Sequence, residues 1–369
     1  MWIIISIYLL IHTRSIARLE QAIIPADMNY PSLSIIIPIR NEEANLEMAL
    51  RSICNLSYPD YQVILVNDRS TDATPGIINH FALKYSFVQA IHIRQLPEGW
   101  LGKNHALYTG YLSSDDEWML FTDADIIYEP KALKRAMAYA LGNNLDNLAV
   151  FPDVRSRSAW FNSVMETFRM MLEIRLRPWK VKDPKSGAYI GIGAFSLIKR
   201  TAYEGAGTHQ VIALRPDDDL KLGERIKAAG YQQDVLYGTN ELSLEWYTSI
   251  RAFVQGLMKN TFSTFDYSLL KLVPAVVLTF LVFVLPVPVL LLAGTRLERL
   301  MGLIILLFQF ALFMFRGGQS AKWWYVFTIP FAGLLIIYIM VASALKTIRQ
   351  KGIYWRDSFY SLEELKKGK

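Results

Sequence analysis

Trp118–Asp125 reads W-M-L-F-T-D-A-D. An apolar run ends in two carboxylates one residue apart, which predicts a short buried strand delivering Asp123 and Asp125 to the carboxyl edge of a sheet. Alternate residues of a strand share a face, so both acids can address one ligand. A pair of hard oxygen donors suits Mg²⁺ or Mn²⁺ that also holds a diphosphate. Taken alone, the same pattern is equally a strand closing in a polar turn, because Asp favours turns.

The flanking chain decides between them. Ser34–Pro38 (S-I-I-I-P) predicts a strand, followed by Arg40, Asn41, Glu42 and Glu43 and by a helix over Ala44–Cys54. Val63–Val66 predicts a second strand that closes on the polar run Asn67–Asp72, then a helix from about Thr74 to Tyr85 and a third strand near Val88–Ile93. Strand–helix alternation at this spacing predicts an α/β fold with right-handed parallel crossovers, whose ligands bind beyond the carboxyl ends of the strands. The clusters at 40–43, 68–72 and 123–125 all follow strands, so three polar groups converge on one edge. Between them, Leu96–Gly110 (L-P-E-G-W-L-G-K-N-H-A-L-Y-T-G) places Gly99 and Gly102 before Lys103 at a predicted helix start, a combination that favours an anion such as phosphate over a merely solvated lysine. The spacing is not that of a Walker loop.

The chain has 369 residues, 52% of them apolar, and the apolar excess is concentrated after Leu269. Three segments, Leu269–Ala293, Leu300–Phe315 and Trp324–Leu345, predict a membrane region. The middle one is short for a span, and Pro274, Pro286 and Pro288 interrupt the first. Met1–Ile11 is apolar but too short to span a bilayer, which needs about 20 residues, and reads as an interfacial anchor or a truncated membrane helix. The expected organisation is therefore an anchor over 1–30, an α/β domain over 31–265, membrane helices over 266–346 and a basic tail over 347–369. The net charge of +6 gathers at Lys346, Arg349, Lys351, Arg356, Lys366, Lys367 and Lys369, which places the tail on the cytoplasmic face and requires one segment not to cross. The globular part has no basic stripe for nucleic acid. One cysteine, Cys54, excludes an intrachain disulfide and a cysteine metal site.

Three later stretches carry further candidates. Val150–Arg177 mixes aromatics and methionines with Arg155, Arg157, Arg169, Arg175 and Arg177, which fits either a helix on a bilayer surface or a core-facing helix. Ser186–Arg200 reads as a strand in which Gly187, Gly191 and Gly193 leave room for a ligand. Arg215–Gly230 (R-P-D-D-D-L-K-L-G-E-R-I-K-A-A-G) starts a helix with three acids, which by itself is ordinary capping and dipole chemistry.

In chain order, S-I-I-I-P-I-R-N-E-E, V-N-D-R-S-T-D-A-T, G-W-L-G-K-N-H-A-L and T-D-A-D resemble glycosyltransferase family 2. The resemblance implies the GT-A fold, a Rossmann-like nucleotide-sugar-binding domain, and inverting transfer of a sugar from a nucleotide donor, UDP-hexose by family precedent. It implies that Pro38, Arg40 and Glu42 border the nucleoside, that Asp68 meets the base, that Asp123 touches ribose or phosphate beside the metal, and that Asp125 holds the metal. It places Gly193 on the acceptor side. Counting back from Leu222 and Gly223, it makes Asp219 the base, with Asp218 as second choice. The segments after Ala194 and around W-Y-T-S-I-R-A-F-V-Q-G-L-M-K-N are similar to membrane-bound enzymes of carotenoid and hopanoid glycosylation, such as the 4,4'-diaponeurosporenoate glycosyltransferases. This implies a lipid acceptor at the plasma membrane, a multi-pass chain with a cytoplasmic catalytic domain, and contacts to acceptor or diphosphate from His209, Trp246, Arg251, Lys259 and Asn260, with a packed aromatic and a solvated lysine equally open readings of Trp246 and Lys259. Gly352–Tyr360 resembles a W-R-G-x-x-Y tail with Asp357 in place of Gly. No Q-x-x-R-W motif is evident, so single transfer is expected rather than polymer extrusion. Transfer to a polyprenyl phosphate and a silent nucleotide-sugar-binding scaffold stay open as alternatives.

Overall fold

A computed structural model describes the chain apart from residues 155, 293, 317–321, 356–357 and 368–369. Arg155, Ala293, Arg356, Asp357 and Lys369, named above, lie outside the described residues. The strands are β1 (Leu33–Ile39), β2 (Tyr61–Asp68), β3 (Val88–Ile93), β4 (Trp118–Phe121), β5 (Ile127–Tyr128), β6 (Asn147–Phe151), β7 (Asp153–Val154), β8 (Ser196–Lys199), β9 (Gln233–Tyr237) and β10 (Leu242–Leu244), followed by a hairpin of β11 (Gly352–Trp355) and β12 (Ser358–Ser361). Seven of them form one sheet in the order β3-β2-β1-β4-β8-β6-β9. The first four are parallel, and β8 runs antiparallel between β4 and β6.

The helices of the globular part are α1 (Trp2–Thr13), α2 (Leu46–Ile53), α3 (Thr74–Lys84), α4 (Gly102–Leu112), α5 (Ala132–Gly142), α6 (Ala159–Leu176), α7 (Arg200–Gly205), α8 (Asp218–Ala228) and α9 (Ile250–Asn260). They cover both faces of the sheet, which is why its strands are continuous apolar runs. Ile35, Ile37, Val63, Leu65 and Leu120 face α2, α3 and α5. Ile36, Ile64, Val66, Met119 and Phe121 face α4, α7 and α8. The strand expected over 186–200 is confined to β8. Over 186–194 no strand forms: the Gly193 N–H goes to the Asp219 carboxylate and the Ala188 N–H to the Ser186 hydroxyl, and pairing with β6 is taken up at Phe195, whose carbonyl accepts the Val150 N–H.

Beyond α9 come α10 (Leu269–Thr279), a π turn at Phe280–Val284, α11 (Pro286–Leu292), α12 (Arg296–Phe315), a 3₁₀ turn at Trp323–Thr328, α13 (Ile329–Gln350) and α14 (Leu362–Lys367). Two helices, α12 and the continuous unit Trp323–Gln350, are long and apolar enough to cross a membrane. The segment expected to be short gains a turn: Thr295 and Glu298 form a reciprocal capping box that starts α12 at Arg296 and brings it to 20 residues. Leu269–Leu292 passes the same test only as a pair of helices bent by 42°, with Pro274, Pro286 and Pro288 removing backbone donors along it.

The globular domain and the apolar helices are joined at several points. α1 packs on α12, its Arg14 Nε donating to the Phe315 carbonyl at 2.8 Å and its Trp2 indole to Val282 O at 2.6 Å. α6 is buried from both sides, with Phe161 and Val164 against Phe253 and Ala332, and Met170 against Trp2 and Leu9. α13 touches α6 near its start, Phe331 lying 5.4 Å from Trp160, and touches α9 near its end, where Ser343 accepts from Phe262 N and donates to Met258 O. At the end of α12, Arg316 Nη2 lies 3.3 Å from Glu166 and 3.6 Å from Glu173, and Arg169 and the Tyr237 hydroxyl complete this buried ionic group.

Removing one partner of such a group strands charge in a low-dielectric setting. Arg316→Ala is expected to cost about 3 kcal/mol, read as a lower unfolding temperature of the detergent-solubilised chain, with Arg316→Lys recovering part of the loss.

Candidate active site

β4 ends in a turn fixed from within. The Tyr128 hydroxyl donates to Thr122 Oγ1 at 2.6 Å, and Thr122 Oγ1 donates to Ala194 O at 2.7 Å. Asp123 is thereby aimed outward, its side chain 39% exposed and 2.9 Å from Lys103 Nζ. Lys103 stands in the first turn of α4, whose entry is gripped by the 212–215 loop. The Leu101 N–H donates to Ala213 O, and the Asn104 amide reaches the carbonyls of Ile212, Ala213 and Arg215. From the opposite side α8 starts at Asp218, whose Oδ2 lies 3.7 Å from Lys103 Nζ. Asp219 is fixed at both oxygens, by Gly193 N at 2.9 Å and by its neighbour Leu220 N at 2.8 Å. Arg215, almost wholly buried, forks onto Asp217 at 2.9 and 2.8 Å and reaches Asp266 at 3.3 Å, tying this loop to the residues that lead into α10.

The charges are strongly interdependent. Burial opposes the Lys103 ammonium, but Asp123, Asp218 and Asp219 together hold its pKa well above the usual lysine range. Burial raises the Asp218 and Asp219 carboxyls, Lys103 counteracts it, and the neighbouring acids add to it. Asp125 is pushed up to about 7, first by burial and then by Asp123 and Glu42. The Tyr247 phenol is pushed up to about 12 by burial and then by Asp125 and Asp123, which marks its ring as a neighbour of the acid pair. Among the described residues no three His, Cys, Asp or Glu side chains converge as a self-sufficient metal site. Asp123 and Asp125 offer two hard oxygen donors in a locally acidic spot, which fits a divalent cation whose shell is completed by phosphate oxygens.

The second half of the edge lies beside the first. Asp68 is 4% exposed and held by Arg69 Nε at 2.7 Å and by Arg40 Nη1 at 3.5 Å. A Cβ on Gly102 would run into the Asp68 carboxylate, so the glycine lets the start of α4 close on that group. Pro38 sits in β1 opposite Val66. The loops after β1 and β2 are laced together, Asn41 N to Ser70, Thr71 N to Asn41, Glu42 N to Thr74 and Ala73 N to Glu43.

The structure thus brings Lys103, Asp123, Gly193, Asp218 and Asp219 into one cavity and sets Arg40 and Asp68 next to it. His209 also lines this cavity but is 1% exposed, bonded through Nδ1 to the Tyr203 hydroxyl and pushed down to about 3 by burial and then by Lys103. It is a neutral wall residue rather than a group on the open cleft. Trp246 lies in an aromatic cluster with Phe168, Tyr247 and Phe253 and is 38% exposed, and Lys259 is exposed on α9. Of the three glycines expected to leave room for a ligand, Gly193 faces Asp123 and Lys103, whereas Gly191 is packed against the Asp219 backbone carbonyl and Gly187 faces open space. Arg69, Tyr247 and the Arg215–Asp217 pair were not singled out by sequence reasoning. Arg69 follows Asp68 in a cluster already marked, while nothing local to Tyr247 or Arg215 signals contact with groups so far along the chain.

A parallel sheet with an antiparallel insertion, carrying an acid pair at its carboxyl edge, defines the Rossmann-like GT-A class. Residues 34–206 match the Glycosyl transferase family 2 model, and this part of the chain is a domain of that family. The probable glycosyltransferase YdaM of Bacillus subtilis is 36% identical over 105 residues, 28% of this chain and 25% of the relative. The 4,4'-diaponeurosporenoate glycosyltransferase of Staphylococcus aureus is 27% identical over 186 residues, 50% of this chain. The matched part therefore spans no more than about half of these relatives, 48% in the second case. In fold, the chain is similar to the mannosyltransferase PcManGT of Pyrobaculum calidifontis in complex with GDP-Man and Mn²⁺, at 17% identity and TM-score 0.54, covering 95% of this chain and 100% of that one.

The electrostatics give a test that needs no substrate. A carboxyl whose folded pKa is raised holds its proton in the folded state, so its contribution to stability is present at low pH and lost as pH rises through the folded pKa. Lys103→Met removes the cation that offsets Asp123, Asp218 and Asp219. Its unfolding temperature is expected to fall below wild type by a small margin at pH 5 and by a clearly larger one at pH 8.

Proposed function

We propose that the chain transfers a hexosyl group, with inversion and with a divalent metal, from a nucleotide-sugar donor to a lipid acceptor at a membrane. The observation that carries this reading is the meeting of Asp123, Asp218 and Asp219 around Lys103 at the strand edge, with Arg215 linking the same loop to the start of the apolar helices. The nucleoside would lie along Arg40 and Asp68, where Asp68 can accept from a base N–H if Arg69 yields one oxygen. Lys103 would exchange its carboxylate partners for the diphosphate and draw off the charge that develops on it. Mg²⁺ or Mn²⁺ held by Asp125 and Asp123 would act as a Lewis acid on the departing diphosphate. Asp219, held in one orientation by two N–H groups, would take the acceptor proton as the oxygen attacks opposite the leaving group, and one displacement inverts the anomeric centre. UDP-hexose is the donor expected from family precedent, and GDP-mannose is the competing candidate given the ligand of the fold relative.

The names of the staphylococcal relatives support an apolar acceptor such as a carotenoid or hopanoid. A plasma-membrane location with the catalytic domain and the basic tail both cytoplasmic is supported by Arg316 and Ser343, which return the ends of α12 and α13 to the globular domain. A second reading, transfer to a polyprenyl phosphate, is favoured by one observation: both Asp219 oxygens already accept backbone N–H bonds, which suits a fixed anchor beside an acceptor that is already ionised.

Detergent-solubilised chain with UDP- and GDP-sugars, Mn²⁺ and extracted membrane lipid tests these readings. Asp219→Asn is expected to lower turnover with a hydroxyl acceptor by about 10²–10⁴-fold while donor affinity holds, and by much less with an ionised acceptor. If the loss follows Asp218→Asn instead, the base is Asp218. Unchanged function in both variants would support a scaffold. Because burial, Asp123 and Glu42 push the Asp125 carboxyl up to about 7, Mn²⁺ with nucleoside diphosphate is expected to bind more tightly at pH 8 than at pH 6. That difference should shrink in Asp125→Asn, leaving the part that belongs to the phosphate and Asp218, as read by calorimetry.

A further inference from the structure

The hairpin that follows α13 ends against the nucleotide edge. β11 and β12 pair antiparallel, with Ile353 opposite Tyr360. Both side chains are buried, with Leu365 of α14, in the cluster that contains Leu101, Phe262 and Leu272. The Tyr360 hydroxyl donates to the Trp100 carbonyl at 3.0 Å. Trp100 precedes Gly102, the glycine closed on the Asp68 carboxylate, and Lys103, the cation among the acids. Burial raises the Tyr360 phenol, and its charged neighbours are Arg69, Asp68 and Arg40. The hydroxyl therefore stands where the nucleoside edge meets the acid cluster, although it is carried 260 residues further along the chain than the carbonyl it holds.

The loop it touches is otherwise restrained from the far side. Leu101 and Asn104 are bonded to the carbonyls of 212–215, the loop that leads into Asp218 and Asp219. Tyr360 supplies a restraint from the side of the apolar helices. With both in place, the start of α4 cannot drift from Asp68 without breaking one grip, nor from the acids without breaking the other.

We propose that Tyr360 is a positioning residue for the nucleoside diphosphate of the donor. Through the Trp100 carbonyl it keeps Gly102 on Asp68 and Lys103 over the acids, so the C-terminal hairpin forms a wall of the donor site. This deepens the nucleotide-sugar reading above and rests on it. The hairpin takes no part in bond making. Its contribution lies in donor affinity.

The test uses the full chain in detergent, with calorimetric titration of UDP and GDP in the presence of Mn²⁺, for wild type, Tyr360→Phe and Tyr360→Ala. Loss of one hydrogen bond to a carbonyl predicts weaker nucleoside diphosphate binding by about three- to tenfold in Tyr360→Phe, with ring packing retained and the ligand-free unfolding temperature lowered only slightly. Donor KM should rise by the same factor while kcat at saturating donor holds. Tyr360→Ala should weaken binding further. Wild-type affinity in Tyr360→Phe, or a fall in kcat at unchanged donor KM, overturns the proposal. A lower unfolding temperature with unchanged affinity overturns it too, since that is packing alone. Wild type that binds neither nucleotide overturns the donor reading itself, a result distinct from any difference between the variants.

Discussion

One ammonium group among three carboxylates sets the arrangement of the site. The acids arrive from two parts of the chain, Asp123 from the end of β4 and Asp218 and Asp219 from the start of α8, and burial penalises the charge of the α8 pair. Lys103 offsets that repulsion. The same requirement explains a small residue beside it. Gly193 allows the cation and Asp123 to approach with no side chain between them, while Gly102 closes on Asp68 and Gly191 lets the Asp219 backbone settle against the segment before β8.

Much of this was legible in the sequence because the signals were local. Apolar runs of four to eight residues closing on polar clusters identify β1, β2 and β4, and the strand–helix rhythm places those clusters on one edge. Asp123, Asp125, Lys103 and Asp68 follow from that placement. Other features depend on distant partners. The 186–194 segment reads as a strand by composition, yet its Ala188 and Gly193 donors go to side chains, those of Ser186 and Asp219. His209 looks like a ligand-facing polar residue, but its neighbour in space is Tyr203, and burial keeps it neutral. The length of α12 turned on a capping box at Thr295 and Glu298 that lies just before the apolar run.

The joint between the two parts of the molecule was the least legible. Glu166, Arg169 and Glu173 look like an ordinary charged stripe on one helix until Arg316 is brought beside them. Arg215 looks like one more charge before an acidic run, although it fastens that run to Asp266. Neither contact has a periodicity that could announce it, because each is made across a large sequence separation.

That separation affects how the chain is made. Glu166 leaves the ribosome 150 residues before the Arg316 that it finally faces. At about 5–20 residues per second, that interval is roughly 8–30 s. In that time Glu166 and Glu173 have Arg169 as their ionic partner, and the apolar faces of α6 and α9 have no α13 to cover them. That side of the head is therefore the last part of its core to be completed, because the surface that closes it is the last to be synthesised.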